Sequence, residues 1–318
     1  MNRVKYSIIM PCFNEAHVLE RSLSSIRSAI ADRSDVEMLL LDNGSADDSV
    51  AVAEKFGAQV YSLPGVRISA LRNQGARLSQ GKYLLFLDAD IQVPANWLDK
   101  IDSYADQGAA DVVGFVDTVP DTAPWFAKTW GLRASARRST LRAVDSLPGR
   151  NLFVSRRWFD TVDGFSEDLT TGEDKDFVMR LKKAGAVVLS DPSLDMIHLG
   201  YERTFREWCR KEYWRQHSHI AIMSQQGINL RLLRFPLISL AHVIWALLIV
   251  LLVAGGYGHW SLVLLWLVPA LAMSLANPLS RWPAGRLARF TLLYWLRFHI
   301  AGISVIREFM ESRKRSPA

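Results

Sequence analysis

The first two hundred residues alternate short apolar runs with segments that have helical spacing. Five of the apolar runs predict strands: YSIIMP from Tyr6, VEMLLLD from Val36, AQVYSLP from Ala58, KYLLFLD from Lys82 and DVVGFVDT from Asp111. The segments between them place apolar residues three or four positions apart, as amphipathic helices do. Strands that are apolar throughout and alternate with helices predict an α/β fold with a parallel sheet covered on both faces.

The same alternation continues after residue 120. NLFVSRRWFDTVDGF predicts a strand and a helix, EDKDFVMRLKKAG predicts a helix closed by Gly185, and AVVLSD and LDMIHLG predict two further strands. The segment Asp121–Arg142, with tryptophans among arginines, has the composition of a mobile amphipathic lid.

The C-terminal part of the chain is apolar in a different way, because residues 236–279 contain no Asp, Glu, Lys or Arg. The stretches 236–255 and 260–279 are each about twenty residues long, which is enough to cross a bilayer core. Both outer flanks are rich in arginine and the GYGH turn has none, so the charge distribution predicts a membrane hairpin with both flanks in the cytoplasm. Two buried helices of a soluble domain are the alternative.

A third apolar stretch, 290–306, carries Arg297 and His299 near its middle. A charge at the bilayer centre is costly, so we expect an interfacial helix here, with a third membrane helix as the alternative. The pattern therefore predicts a cytoplasmic domain over 1–230 and a membrane domain over 231–318, in a multi-pass protein of the cell inner membrane.

Charge and cysteine content narrow the function classes. The formal net charge is +6, and many cations flank the apolar block and are not interleaved with aromatic residues. That placement favours a lipid bilayer with anionic headgroups and argues against nucleic acid as a partner. Cys12 and Cys209 lack a C-x-x-C spacing, which suggests neither a disulfide framework nor a zinc site.

Carboxylates follow the predicted strands at the edge where sheets of this class bind ligands. Asp88 and Asp90 end the fourth strand, and side chains at i and i+2 point to the same face. Two adjacent anions favour a divalent cation between them, and solvated loop acids are the alternative. Asp42 ends the second strand, where its carboxylate suits either a base or ribose hydroxyl or an Asx turn.

These features together resemble the family 2 glycosyltransferases with the GT-A fold, over about residues 5–200. IIMPCFNE is similar to the opening strand motif, LLLDNGSADDS to the second, and ALRNQGARLSQGKYLLFLDAD to the arginine–asparagine helix leading into the D-x-D strand. The usual second Asp of the second motif is Asn43 here. The resemblance implies a Rossmann-like GT-A domain that binds a nucleotide sugar donor.

The resemblance also implies individual roles. The residues that would bind the nucleotide sugar are Pro11, Glu15, Asp42, Arg72, Asp88 and Gly149. Asp88 and Asp90 would hold Mg²⁺ or Mn²⁺ against the diphosphate, with Asp90 the more direct ligand. His198 is a further candidate metal ligand, and a structural role is the alternative for a lone histidine on an apolar strand.

The catalytic residues implied by the resemblance lie in TTGEDKDF, which is similar to the x-E-D motif. Asp174 is the candidate general base, and Glu173 is its neighbour in positioning hydroxyl groups. A base is needed because an acceptor hydroxyl must lose its proton as it attacks the anomeric carbon. Acidic residues that only favour a helix N-terminus are the alternative.

The sequence therefore predicts a membrane-anchored, inverting, metal-dependent hexosyltransferase of cell-surface glycan or glycolipid synthesis. It would move one sugar from a UDP- or GDP-linked donor to a lipid or lipid-linked glycan at the cytoplasmic membrane face. Trp214 and Arg215 reverse the order found in Q-x-x-R-W, which argues against processive polymerisation. A polyprenyl-phosphate glycosyltransferase and a non-catalytic nucleotide-sugar-binding regulator of a partner synthase are the alternatives.

Overall fold

The computed structural model describes residues 4–137, 140–216, 222, 230–258, 260–277 and 284–315. The chain forms two compact units. The first contains residues up to Pro120, Arg138–Asp168 and Glu173–Tyr201, and the second contains Asp121–Arg137, Leu169–Gly172 and residues from Glu202 onward.

The first unit is built on a mixed sheet, nine-stranded within the described residues. The strands are β1 Tyr6–Cys12, β2 Val36–Asp42, β3 Gln59–Ser62, β4 Tyr83–Leu87, β5 Ile91–Gln92, β6 Val112–Thr118, β7 Arg142–Ala143, β8 Asn151–Ser155 and β9 Val188–His198. Their order is β3-β2-β1-β4-β8-β6-β9-β5, with β7 paired to β9. The four strands from β3 to β4 are parallel, as their apolar runs predict. The prediction of a wholly parallel sheet is wrong beyond β4, because β8 runs antiparallel to β4 and β6.

The described helices follow the predicted alternation. They are α1 Ala16–Ile30, α2 Ser49–Lys55, α3 Ile68–Leu78, α4 Trp97–Gln107, α5 Trp125–Arg137, α6 Arg156–Thr161, α7 Glu173–Lys183, α8 Phe205–Trp214, α9 Leu230–Ala254, α10 Trp260–Leu275 and α11 Ala284–Arg315. Helices α5 and α8 to α11 lie in the second unit, and the others lie in the first.

Both faces of the sheet are buried. Alternate side chains of β1, such as Ile8 and Met10, pack on one face with α1 and α4, and Ile9 packs on the other with α3 and α7. Each fully buried aliphatic side chain of this kind contributes about 1.5–3 kcal/mol. Helix α3 lies so close to the sheet that a Cβ on Gly75 would be 2.4 Å from Ile9. This packing fixes the position of α3 against the sheet and therefore the positions of the polar residues that α3 carries.

The predicted strands AVVLSD and LDMIHLG are one continuous strand, β9. Its pairing with β6 shifts register between Phe115 and Asp117, opposite residues 192–195 of β9. Pro192 therefore sits where the ladder is interrupted and no backbone donor is required. The prediction of two separate strands failed because proline usually ends a central strand.

The second unit contains the apolar helices. By length and composition, Leu233–Ala254 within α9 is able to cross a membrane, with a mean hydropathy of 2.7, and it alone meets this criterion among the described residues. Helix α10 corresponds to the second predicted span but ends at Leu275, and positions 278–279 lie outside the described residues. Helix α11 is 32 residues long and includes the predicted stretch 290–306.

The division into units differs from the predicted boundary at residue 230. Helices α5 and α8 belong with the C-terminal helices, because the Trp130 ring packs edge-on against Trp208 and Tyr294, with ring centroids 5.5 and 5.4 Å apart. The segment interpreted as a lid is therefore a helix with a buried aromatic face in the second unit.

Candidate active site

All of the sequence-predicted site residues lie in the first unit. Pro11, Glu15 and Asp42 follow or end β1 and β2, at the carboxyl edge of the parallel strands. The remaining residues form two groups, each joined by direct contacts. Arg72 links Asp88, Gly149 and Glu173, with Asp174 beside them, and Asp90 meets His198.

Arg72 is a buried bridge between the two carboxylate motifs. Its guanidinium donates from Nη1 to Glu173 Oε1 at 2.8 Å and from Nη2 to Asp88 Oδ1 at 2.9 Å, and only 2% of its side chain is exposed. The guanidinium also lies over the Phe165 ring, 5.4 Å from its centroid. The guanidinium lies between the carboxylates of Asp88 and Glu173 and fixes their separation, and the role of Arg72 toward the nucleotide stays a prediction.

The neighbouring Asn73 holds a loop in place. Its amide donates to Phe165 O at 2.9 Å and to Glu167 Oε1 at 2.8 Å, and its Oδ1 accepts from Phe165 N at 2.8 Å. The arginine–asparagine pair therefore does two structural jobs: Arg72 ties the carboxylates together and Asn73 fastens the 165–167 loop to α3.

Gly149 fills a position where no larger residue fits against Arg72. A Cβ there would lie 2.8 Å from Arg72 Nη1, so glycine allows the backbone to pass over the buried guanidinium. Its N–H donates to Asp174 Oδ2 at 3.1 Å. The loop of Gly149 therefore packs on Arg72 and orients the Asp174 carboxylate.

Asp174 and Glu173 differ in environment although they are adjacent. Glu173 is buried and tied to Arg72, and burial together with the charge of Asp174 raises its pKa, against the opposing charge of Arg72. Asp174 is half-buried and is the second residue of α7. A proton acceptor must reach its substrate, so this geometry favours Asp174 over Glu173 as the base.

Asp90 and His198 form the second cluster. His198 Nε2 lies 3.2 Å from Asp90 Oδ2, and β9 pairs His198 with Ile91, directly after the D-x-D motif. A Cβ on Gly200 would fall 1.8 Å from Asp90 Oδ2, so the chain closes around this carboxylate.

The fit of this cluster to a divalent cation can be tested on distances. Among the described residues, no group of three or more His, Cys, Asp or Glu side chains is arranged to hold a metal ion. Asp90 and His198 are nonetheless spaced like neighbouring ligands, since ligands about 2.1 Å from one cation lie roughly 3 Å apart. Mg²⁺ commonly takes one or two carboxylates and completes its shell with substrate phosphates and water, so the residues fit a cation shared with a diphosphate.

Asp88 stands between the two clusters. Burial raises its pKa most strongly, the charge of Asp90 adds to this, and the charge of Arg72 opposes both. The side chain of Asp88 is still 27% exposed. Of the two D-x-D carboxylates, Asp88 is bound to Arg72 and Asp90 lies against His198.

Asp42 forms the Asx turn that sequence analysis kept as an alternative. Its carboxylate accepts from Gly44 N at 3.1 Å and from Ser45 N at 3.1 and 3.2 Å. The adjacent Asn43 donates to Val66 O and accepts from Val66 N, both at 3.1 Å. An aspartate could accept but not donate here, which gives a physical reason for asparagine in place of the usual second Asp.

Sequence reasoning missed one ion pair at this edge, that of Arg150 with Asp117. Arg150 donates to both carboxylate oxygens of Asp117, at 2.8 to 3.1 Å, and its carbonyl accepts from Asp88 N at 3.0 Å. The available signal was positional, because Asp117 is the penultimate residue of a predicted strand and Arg150 follows Gly149, a predicted site residue.

Comparisons with known proteins show the family of this chain. The profile of "Glycosyl transferase family 2" matches residues 7–162. An uncharacterised glycosyltransferase of Mycobacterium bovis, Mb0553, is 31% identical over 158 residues, covering 48% of this chain and 67% of that protein. Glycosyltransferase AglE of Haloferax volcanii is 26% identical over 240 residues, covering 71% of this chain and 76% of AglE. Shorter matches to three more glycosyltransferases span only 32–35% of those proteins.

Solved structures support the fold. The mannosyltransferase PcManGT of Pyrobaculum calidifontis, crystallised with GDP-Man and Mn²⁺, superposes with a TM-score of 0.64 at 17% identity, covering 95% of this chain and 87% of that chain. The mixed sheet has the GT-A fold, and the curated relatives that match most of this chain or of their own length are glycosyltransferases. The chain belongs to glycosyl transferase family 2.

Proposed function

We propose that this protein transfers a single hexose, with inversion, from a UDP- or GDP-linked sugar to a lipid or lipid-linked glycan at the cytoplasmic face of a membrane. The observation that carries the proposal is the Arg72 bridge, which joins the D-x-D carboxylate Asp88 to Glu173, next to Asp174. Two motifs that lie far apart in sequence are thereby held at one site, as a single-displacement reaction requires.

In the proposed reaction an acceptor hydroxyl attacks the anomeric carbon and the bond to the nucleoside diphosphate breaks. The proton of the hydroxyl passes to Asp174, and the electron pair of the broken bond leaves with the diphosphate. The Gly149 N–H holds the Asp174 carboxylate in position. Glu173 remains with Arg72 and positions the site without taking the proton.

Asp90 and His198, with Asp88 beside them, would hold Mg²⁺ or Mn²⁺, and the bound cation would supply positive charge to the diphosphate. The Mn²⁺ and GDP-Man bound to PcManGT support this assignment. The Asx turn of Asp42, with Pro11 and Glu15 nearby, would line the nucleotide end of the donor.

The membrane part of the proposal rests on the second unit. Helix α9 exposes a run of large aliphatic side chains, among them Leu247, Val250 and Leu251, the last 68% exposed. Such a surface is unfavourable in water and suits a bilayer. We propose that α9 and α10 form the predicted hairpin and that α11 lies at the interface, in an inner-membrane protein. A lipid acceptor follows, because anchoring at the bilayer helps only if a substrate is there.

The charge in the middle of the third apolar stretch has a partner. Arg297 donates from Nε to Glu212 Oε2 at 2.9 Å, and its guanidinium lies over the Phe235 ring, 4.2 Å from the centroid. Glu212 also accepts from Trp130 at 3.0 Å and from Arg215 at 2.7 Å. Neutralisation of Arg297 by α8 lowers the cost of placing α11 against apolar surroundings and supports the interfacial assignment.

The test is to incubate the full chain with a panel of nucleotide sugars and membrane lipid extract, with and without Mn²⁺, and to identify products by mass spectrometry. Asp174→Asn should nearly abolish transfer to a hydroxyl acceptor, whereas the exposed Asp168→Asn serves as the matched control. Transfer that survives in Asp174→Asn only with a polyprenyl phosphate would identify an acceptor oxygen that is already anionic. No donor turnover under any condition would favour a regulatory nucleotide-sugar-binding protein and reject the proposal.

A further inference from the structure

The loop of Gly149 and Arg150 joins three parts of the candidate site. The Gly149 N–H binds Asp174, the Arg150 carbonyl accepts from Asp88 N, and the Arg150 guanidinium binds Asp117. The backbone of Arg150 is therefore fixed directly across from the D-x-D motif, where β4 pairs with β8.

The guanidinium of Arg150 is held by one side only. Nε and Nη2 donate to Asp117, whose side chain is 5% exposed, while Nη1 makes no hydrogen bond within the described part of the chain. The Arg150 side chain is 29% exposed. A bidentate contact to a buried carboxylate leaves the remaining edge of the planar fork pre-oriented for a second anion.

The charges around Arg150 are those of the donor site. Burial alone would lower the pKa of Arg150, but the carboxylates of Asp117, Asp88 and Asp90 raise it. The side chain is thus a fixed cation that faces the motif assigned to the diphosphate. Arg72 does not offer a free edge to the diphosphate, because it is almost fully buried between Asp88 and Glu173.

We propose that Arg150, oriented by Asp117, donates from Nη1 to a phosphate oxygen of the nucleoside diphosphate. This assignment rests on the proposed function, and it makes Arg150 a protein-borne counter-charge that acts alongside the divalent cation. Asp117 is its positioning residue.

The experiment is calorimetric binding of UDP and GDP to the full chain in detergent, once with Mn²⁺ and once with EDTA. Arg150→Gln should weaken diphosphate binding about 10- to 100-fold in both conditions, the usual effect of losing one charge-assisted hydrogen bond. Arg150→Lys should recover part of the loss, because it restores the charge without the fork. Asp117→Asn should bind only a few-fold more weakly, since the guanidinium is retained.

Arg180 provides the matched control. It pairs with Asp176 at 2.7 Å, its side chain is 24% exposed and that of Asp176 is 1% exposed, so Arg180→Gln breaks a similar ion pair in the same unit. Arg180→Gln should lose about as much thermal stability as Arg150→Gln but should leave diphosphate binding unchanged. If Arg150→Gln and Arg150→Lys both bind UDP and GDP like wild type, Arg150 only stabilises Asp117 and the inference is wrong. If wild type itself binds neither nucleotide, the proposed function fails as well.

Discussion

Replacing Arg72 by Met tests whether this arginine is the device that holds the acidic site together. Methionine is unbranched and apolar and matches the aliphatic stem of arginine, so it keeps the packing of the stem while removing the guanidinium that lies over Phe165. Glu173 and Asp88 would each lose their contact with the guanidinium, at 2.8 and 2.9 Å.

The magnitude follows from burial. Arg72 is 2% exposed and Glu173 10%, so this half of the bridge is a buried pair, and breaking such a pair costs about 3–5 kcal/mol. Asp88 is 27% exposed and is more easily solvated when the pair is broken, so losing its contact with Arg72 destabilises the fold less. We expect Arg72→Met to lower the free energy of unfolding of the first unit by about 3–5 kcal/mol.

The cause of the loss is the uncompensated Glu173 charge, which makes the effect dependent on pH and on residue 173. Burial already raises the pKa of Glu173, and without Arg72 it is raised further. A carboxyl whose folded-state pKa lies above its unfolded value is relieved by protonation, so the deficit should shrink as pH falls below neutrality. Glu173→Gln in the Arg72→Met background should recover about 2 kcal/mol for the same reason.

The assay is a double-mutant cycle on these two residues, with unfolding followed by hydrogen exchange of the α3 and α7 amides in detergent. Strictly additive losses at the two positions, or a deficit in Arg72→Met that is independent of pH, would refute the neutralisation argument.

Three further outcomes follow from other contacts. In Gly200→Ala the added Cβ would lie only 1.8 Å from Asp90 Oδ2, so the carboxylate must move. We expect Mn²⁺ binding to weaken at least about tenfold, measured by electron paramagnetic resonance with UDP or GDP present. Asp102→Asn should lower the free energy of unfolding by about 1–2 kcal/mol near neutral pH. Burial opposes ionisation of Asp102, yet hydrogen bonds from neighbouring donors lower its pKa to about 2. The stabilisation by Asp102 should therefore disappear as the pH falls from about 4 toward 2. Glu212→Gln should destabilise the C-terminal unit by about 3 kcal/mol, measured by thermal unfolding in detergent, because the charge that neutralises Arg297 is removed.

Each of these three changes has a control variant. At Gly285 an added Cβ meets nothing within 4 Å, so Gly285→Ala should bind Mn²⁺ normally. Asp106 lies on the same helix as Asp102 but is 68% exposed, so Asp106→Asn should change stability little at any pH. Glu207→Gln removes a more exposed acid of α8. If a control variant has the same effect as the variant it is matched to, the structural reason given for that prediction is wrong.

Local patterns in the sequence predicted the strands that carry the site. Apolar runs ending in Asp42 and Asp88 are local signals, and the structure has strands at both places. Contacts between distant residues left no such signal. The bridge from Arg72 to Glu173 joins positions 101 apart, and that from Arg150 to Asp117 joins positions 33 apart. Nothing in the local spacing distinguishes an arginine that will be buried between two acids from one on the surface.

The antiparallel insertion of β8 explains why the site could only partly be predicted. The alternation of strands and helices implies parallel pairing, but β8 enters between β4 and β6 in the opposite direction. It therefore brings Gly149 and Arg150, which precede β8 in the chain, to the carboxyl end of β4. Strand direction is set by the whole sheet, so local spacing did not predict that Arg150 would lie beside Asp88.

The charges of the site make metal and nucleotide binding depend on each other. The carboxylates at this edge are Asp88, Asp90, Asp117, Glu173 and Asp174, and the arginines among them are Arg72 and Arg150. Acids outnumber these cations, so a diphosphate alone would meet repulsion. Among the described residues a divalent cation alone would meet the closely spaced pair of Asp90 and His198 and no group of three ligands. In the proposed site each ligand would supply what the other lacks, and by linkage the coupling must be equal in both directions. Mn²⁺ should therefore tighten UDP or GDP binding by the same factor by which the nucleotide tightens Mn²⁺ binding. Equally tight Mn²⁺ binding with and without the nucleotide would show that the cation has a complete site of its own.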